Sequence, residues 1–147
     1  MKPPDPNWPA WASKAEHDLR AIRAIWQDVS GEEPPWDVVC FHSQQAAEKM
    51  LKAFLACHEQ QPPKTHDLTA LLGLCRSLDA TLDSLGDDCS LLTDFAVESR
   101  YPADLDEPER EDAAAAIAAA ERVRKAILQR LPGGKQDLRP EGTTKAH

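Results

Sequence analysis

The chain has 147 residues, enough for one domain with a buried core. Hydrophobic residues make up 41% and charged residues 29%; Ala and Leu are plentiful while Val, Ile, Tyr and Phe are scarce, which favours helix over sheet. The net charge of -8 argues against a generally basic surface for coating duplex DNA, and leaves room for a local basic site.

Residues 1–9, "MKPPDPNWP", read as an irregular lead-in without the apolar core of a signal sequence. Helix one is predicted from about Trp11 to Gln27. Its stripe is Ala12, Ala15, Leu19, Ile22, Trp26 and Val29, with Asp18, Arg20 and Arg23 mostly off it. "SGEEPP" stops it, because glycine and paired prolines do not continue a helix. Helix two is predicted from Trp36 to Gln60, with an apolar arc of Val39, Cys40, Ala46, Ala47, Met50, Leu51, Phe54 and Leu55. The opposite arc carries His42, Gln45, Lys49 and Lys52. Glu48 and Lys52 are in the favourable order for a surface pair. His58 falls on the apolar arc and reads as a buried histidine.

"KTHDLTALL" opens helix three, with Thr65 or Asp67 capping its first turn, and the helix is predicted to continue through Leu82. Gly86 reads as the break. Helix four is predicted from about Asp88 to Arg100, ending at "SRYP" because Pro102 restricts Tyr101. Helix five begins near Pro108, with acidic residues favouring its N-terminus, and runs to Leu131. Its alanines let another helix approach closely, either helix one or a second copy of the chain. Residues 132–147 are nearly without apolar side chains and read as a disordered tail.

The fold expected is therefore all-α: an up-and-down bundle of four to five helices over residues 10–131. No apolar run approaches the ~20 residues of a membrane span. Cys40, Cys57, Cys75 and Cys89 form no CxxC pair and no histidine completes a zinc site, so they read as small hydrophobes in a reducing compartment. A soluble cytoplasmic protein without metal or cofactor is the expectation.

Helix two raises a question. Ser43 and Gln44 lie on or beside its apolar arc, where a polar group is costly unless hydrogen-bonded. Either they bond a neighbouring helix or Tyr101 and hold the bundle in register, or they line a polar cleft near helices three and four. His42, Gln45 and Lys49 share one face, either a solvated surface or a hydrogen-bonding patch for a phosphate. His66 and Asp67 are either capping chemistry or a proton-transfer pair. Arg100 and Tyr101 read as the strongest binding candidates. An arginine before a rigid Tyr-Pro presents a fixed fork of donors, and a tyrosine ring stacks on bases; the competing reading is a structural cap.

The segments "FHSQQAAEKMLKAFL", "KTHDL" and "FAVESRYP", in that order, resemble the HEPN domain family, with the resemblance covering about residues 10–131. It implies a helical bundle that commonly dimerises, often encoded beside a minimal nucleotidyltransferase and sometimes in a toxin–antitoxin pair. Some members are metal-independent ribonucleases that use an Arg followed at short range by a His; others bind nucleotides or RNA, or act as scaffolds. Arg100 matches the position of the family's active-site arginine. The sequence after it, "YPADLDEPERED", has no histidine. The resemblance thus implies a nucleotide- or RNA-binding module, with a ribonuclease toxin using His42 or His66 as a substitute acid or base, or a structural adaptor, as alternatives. Candidate ligand contacts are Arg100, Tyr101, Lys49, Gln45, Gln44, His42 and His66.

Overall fold

The computed structural model describes residues 7–28, 30–95 and 107–133. Helices α1 (Trp8–Trp26), α2 (Trp36–Cys57), α3 (Leu68–Leu78), α4 (Gly86–Thr93) and α5 (Arg110–Leu128) form an all-α bundle, with a 3-10 turn at Ala80–Leu85 between α3 and α4. α2 is the central element and packs against α1, α3, α4 and α5. Its Met50, Leu51, Phe54 and Leu55 are almost wholly excluded from solvent. Burial of such a side chain stabilises by about 1.5–3 kcal/mol.

The helix ends follow local chemistry. α1 begins at Trp8, three residues before the expected start, with Pro9 in its first turn, where the missing N–H is no loss. Asp67 caps α3, its side chain accepting from the N–H groups of Thr69 and Ala70. α5 opens with a capping box in which Glu109 N–H donates to Asp112 Oδ2 at 2.8 Å.

Three expectations are corrected. α3 does not reach Leu82: it ends at Leu78, and Asp79, with an extended backbone, caps the 3-10 turn by accepting from Thr81 N–H. Gly86 is not a stop but the first residue of α4, with helical φ and ψ of -57° and -46°. The alanine face of α5 packs chiefly on α2, not on α1; Ala113, Ala116, Ala119 and Ala120 are buried there. The expected continuation of helix four to Arg100 and most of the expected 132–147 tail lie outside the described residues.

α1 and α5 are tied by side chains. Arg124 Nε donates to Glu16 at 2.6 Å, and the Arg110 guanidinium lies 4.7 Å from the Trp26 ring centroid and 5.7 Å from that of Trp36. Cys40, Cys75 and Cys89 are buried free thiols pushed up to about 12, chiefly by burial, whereas Cys57 is half-buried. Their packing fits the reading as small hydrophobes.

α2 ends in a Schellman turn. Gln60 N–H donates to the Leu55 carbonyl and Glu59 N–H to that of Ala56, both at 2.9 Å. Glu59 takes the left-handed position, φ 63°, that normally falls to glycine. His58 stands beyond the last turn and is exposed, its ring 4.4 Å from that of Phe54, so the expectation of a buried histidine is overturned. Glu59→Gly is expected to raise the unfolding free energy by roughly 0.5–1 kcal/mol, the relief of left-handed strain less the flexibility gained by the unfolded chain. A urea midpoint at or below that of the parent would contradict this.

Candidate functional site

At about 100° per residue, the polar side chains of α2 follow one another around its axis as Gln44, Glu48, Lys52, Gln45, Lys49 and His42. α1 meets the His42 and Lys49 edge of this arc. The turn before α3 meets the Gln44 and Glu48 edge. The expected Glu48–Lys52 pair forms, but it is buried rather than on the surface: the two side chains are only 5% and 7% exposed, and Trp11 of α1 lies over the Lys52 ammonium.

Each edge is organised by one buried carboxylate. Asp18 of α1 holds the His42 ring through Oδ1 to Nδ1 at 2.8 Å, and its Oδ2 accepts from Lys49 Nζ at 2.7 Å. Glu48 meets His66 Nδ1 with Oε1 at 2.9 Å and accepts from Lys52 Nζ with Oε2, also at 2.9 Å. Each carboxylate thus joins one lysine to one histidine. Lys52 Nζ also lies 5.5 Å from the Trp11 ring centroid.

Two amides reinforce the Glu48 edge. Gln44 Nε2 donates to the His66 carbonyl at 3.0 Å and to Glu48 Oε1 at 3.2 Å. Gln45 Nε2 donates to Gln44 Oε1 at 2.8 Å and lies 3.5 Å from Glu48 Oε1. Gln44 is therefore a strut between α2 and the loop before α3. Ser43 donates to the Val39 carbonyl of its own helix at 2.8 Å and bonds no neighbouring helix among the described residues. Every buried side-chain nitrogen and oxygen among the described residues has a partner.

Burial alone raises the Glu48 carboxyl. Hydrogen bonds from His66 and Lys52, the Lys52 charge and the Gln44 amide outweigh that and hold it below its ordinary 4.5. The network is also accessible at its edges. The His66 side chain is 69% exposed and that of His42 29%, while the carboxylates beneath them are 5% and 9% exposed. Nδ1 is engaged in both rings, and Nε2 of each has no hydrogen-bond partner among the described residues.

The structure thus brings together His42, Gln44, Gln45, Lys49 and His66. Arg100 and Tyr101 lie outside the described residues. Asp67 does not pair with His66; it is spent on the α3 cap. Asp18 was missed as a site residue and Glu48 was read only as a surface pair. The signal for Asp18 was present: it stands three residues after Ala15 and four before Ile22, both buried, and so on the stripe itself. Among the described residues no group of His, Cys, Asp and Glu is arranged to hold a metal ion, and no helix is long and apolar enough to cross a membrane.

A family model described as HEPN domain matches residues 8–131. No curated protein and no solved structure matches the chain.

Glu48→Gln leaves the Lys52 ammonium buried beside a neutral amide, and is expected to lower stability at neutral pH by about 3 kcal/mol or more. The parent should show a second effect. Glu48 is more acidic folded than unfolded, so its contribution is complete above the ordinary carboxyl range and is lost as pH falls below 4.5. Urea midpoints of parent and Glu48→Gln should therefore converge as pH falls below that value. A constant gap between them would sink this account of Glu48.

Proposed function

Because the chain belongs to the HEPN family, we propose that it is a nucleotide- or RNA-binding module whose contact surface is the polar arc of α2 and the turn before α3. One observation carries this reading: the exposed His66 ring stands on a buried, fully bonded Glu48 carboxylate. Surface histidines without a function rarely need such an anchor, since orienting a side chain costs conformational entropy. His42 on Asp18 repeats the arrangement. Lys49 and Gln45 lie between them and complete the set of hydrogen-bonding groups, with Gln44 fixing their register.

Arg100 and Tyr101 enter the proposal as further contacts. Leu68 N–H donates to Thr93 Oγ1 at 3.2 Å, so α4 ends beside the His66 turn, and Arg100 and Tyr101 follow that end in sequence. A homodimer, a minimal nucleotidyltransferase as partner and a toxin–antitoxin setting complete the proposal, and these rest on the family.

A ribonuclease is the second reading, favoured by the same carboxylate-held histidines. A carboxylate on Nδ1 fixes the tautomer and leaves Nε2 to exchange a proton, the arrangement that general acid–base chemistry uses. The two readings separate in one assay. Purified protein is incubated with labelled transfer RNA and mixed cellular RNA in EDTA, beside Arg100→Ala and His66→Asn. The binding module leaves RNA intact and retains it, and each substitution weakens retention about tenfold, the weight of one charge-assisted hydrogen bond. Cleavage that His66→Asn abolishes would replace this reading with the ribonuclease. Absence of both RNA and nucleotide binding would overturn it in favour of a structural adaptor.

A further inference from the structure

We infer that phosphodiester binding at this surface is coupled to the uptake of protons, held on His42 at one edge of the α2 arc and on His66 at the other. The inference rests on the binding reading above and adds to it the electrostatic condition under which the site works.

The first argument is a charge balance. Asp18 is paired with Lys49 and Glu48 with Lys52, at 2.7 and 2.9 Å, so the fixed charges of the arc cancel. While both imidazoles are neutral, the arc offers an anion no net attraction to offset the loss of its hydration. The remainder of the chain, at -8, adds none.

The second argument is the direction of hydrogen bonds. An ionised carboxylate only accepts, so Nδ1 of each ring carries the proton in the bonds from His42 to Asp18 and from His66 to Glu48. In the neutral ring, Nε2 is then an acceptor. A phosphodiester oxygen also only accepts, so the two repel. Protonation turns Nε2 into a charged donor and supplies the missing positive charge at the same atom. Each histidine thus has one productive form toward phosphate.

Among the described residues, the charges packed against the two rings are largely paired with one another. His42 is faced by Asp18 from α1 and, through that carboxylate, by Lys49 from α2. His66 is faced by Glu48 and Lys52 from α2; beside it, Asp67 is engaged in the α3 cap, and Asp94 closes α4. α5 packs on the apolar side of α2, where its Asp112 acts on Cys40. Lys64, exposed in the same turn, is the cation nearest in sequence to His66 without a pairing carboxylate among the described residues.

The test uses the full chain and a fluorescently labelled short oligouridylate, because neither its internal phosphodiesters nor its bases titrate near neutrality. Affinity is measured from about pH 5.5 to about pH 8.5, the range in which imidazole changes charge. Binding heats are measured in buffers of different ionisation enthalpy. Affinity is expected to fall with rising pH, approaching about tenfold per unit for each proton taken up, with matching buffer-dependent heats. His66→Asn, with its helicity and urea midpoint measured beside it, should remove one proton from the balance, and His42→Gln with His66→Asn should remove both. Asp18→Asn frees the Lys49 charge and should raise affinity at the alkaline end. Binding with a flat pH profile, or with a profile unchanged in the double variant, overturns the inference and leaves the binding module standing. No binding at any pH overturns both.

Discussion

Everything distinctive about this bundle depends on carboxylates placed where a helical core would ordinarily hold leucine. Asp18 and Glu48 are 7% and 4% exposed, and a buried charge is tolerated only with close partners and satisfied lone pairs. The chain meets that demand with a lysine and a histidine on each, and with Gln44 as an extra donor to Glu48. The consequence runs outward. α1 is held at a fixed rotation about α2, because only one rotation brings Asp18 to both His42 and Lys49. The loop before α3 is held because Gln44 grips its backbone while Glu48 grips its side chain. Ion pairs of this kind add little net stability over an apolar core, but they discriminate strongly between alternative packings.

The bundle itself was legible in the sequence because amphipathic periodicity and punctuation agree at nearly every segment. "SGEEPP" and "QQPPK" separate helices whose apolar stripes are unambiguous. Legibility failed where one signal has two meanings. Gly86 breaks many helices but here starts one, since a short 3-10 turn had already reversed the chain after Asp79. Pro9 looked like part of an irregular lead-in and serves instead in a first turn. The alanines of α5 announced close packing without naming the partner, which is the central helix.

The site was legible in part, for a related reason. His42, Gln44, Gln45 and Lys49 share helical neighbourhood and were grouped from α2 alone. Joining them to His66 needed the resemblance of segments far apart in the chain. The carboxylates were not recognised because charge was read as a mark of solvent. Asp18 sits in register with Ala15 and Ile22, and Glu48 with Gln44 and Lys52, so spacing placed them inward while residue type suggested outward. Spacing is the better guide when complementary charges recur on the facing helix.

The aromatic residues give the molecule an unplanned asymmetry. All the tryptophans, Trp8, Trp11, Trp26 and Trp36, belong to α1 and the first turn of α2. Trp11 faces the Lys52 ammonium at one end of that seam, and Trp26 and Trp36 meet the Arg110 guanidinium at the other, with their own ring centroids 5.3 Å apart. Intrinsic emission from this protein is therefore a local gauge of the α1–α2 seam. It is silent on α3 and α4, so an optical melting curve and a helicity curve will coincide only if the bundle opens as a single unit.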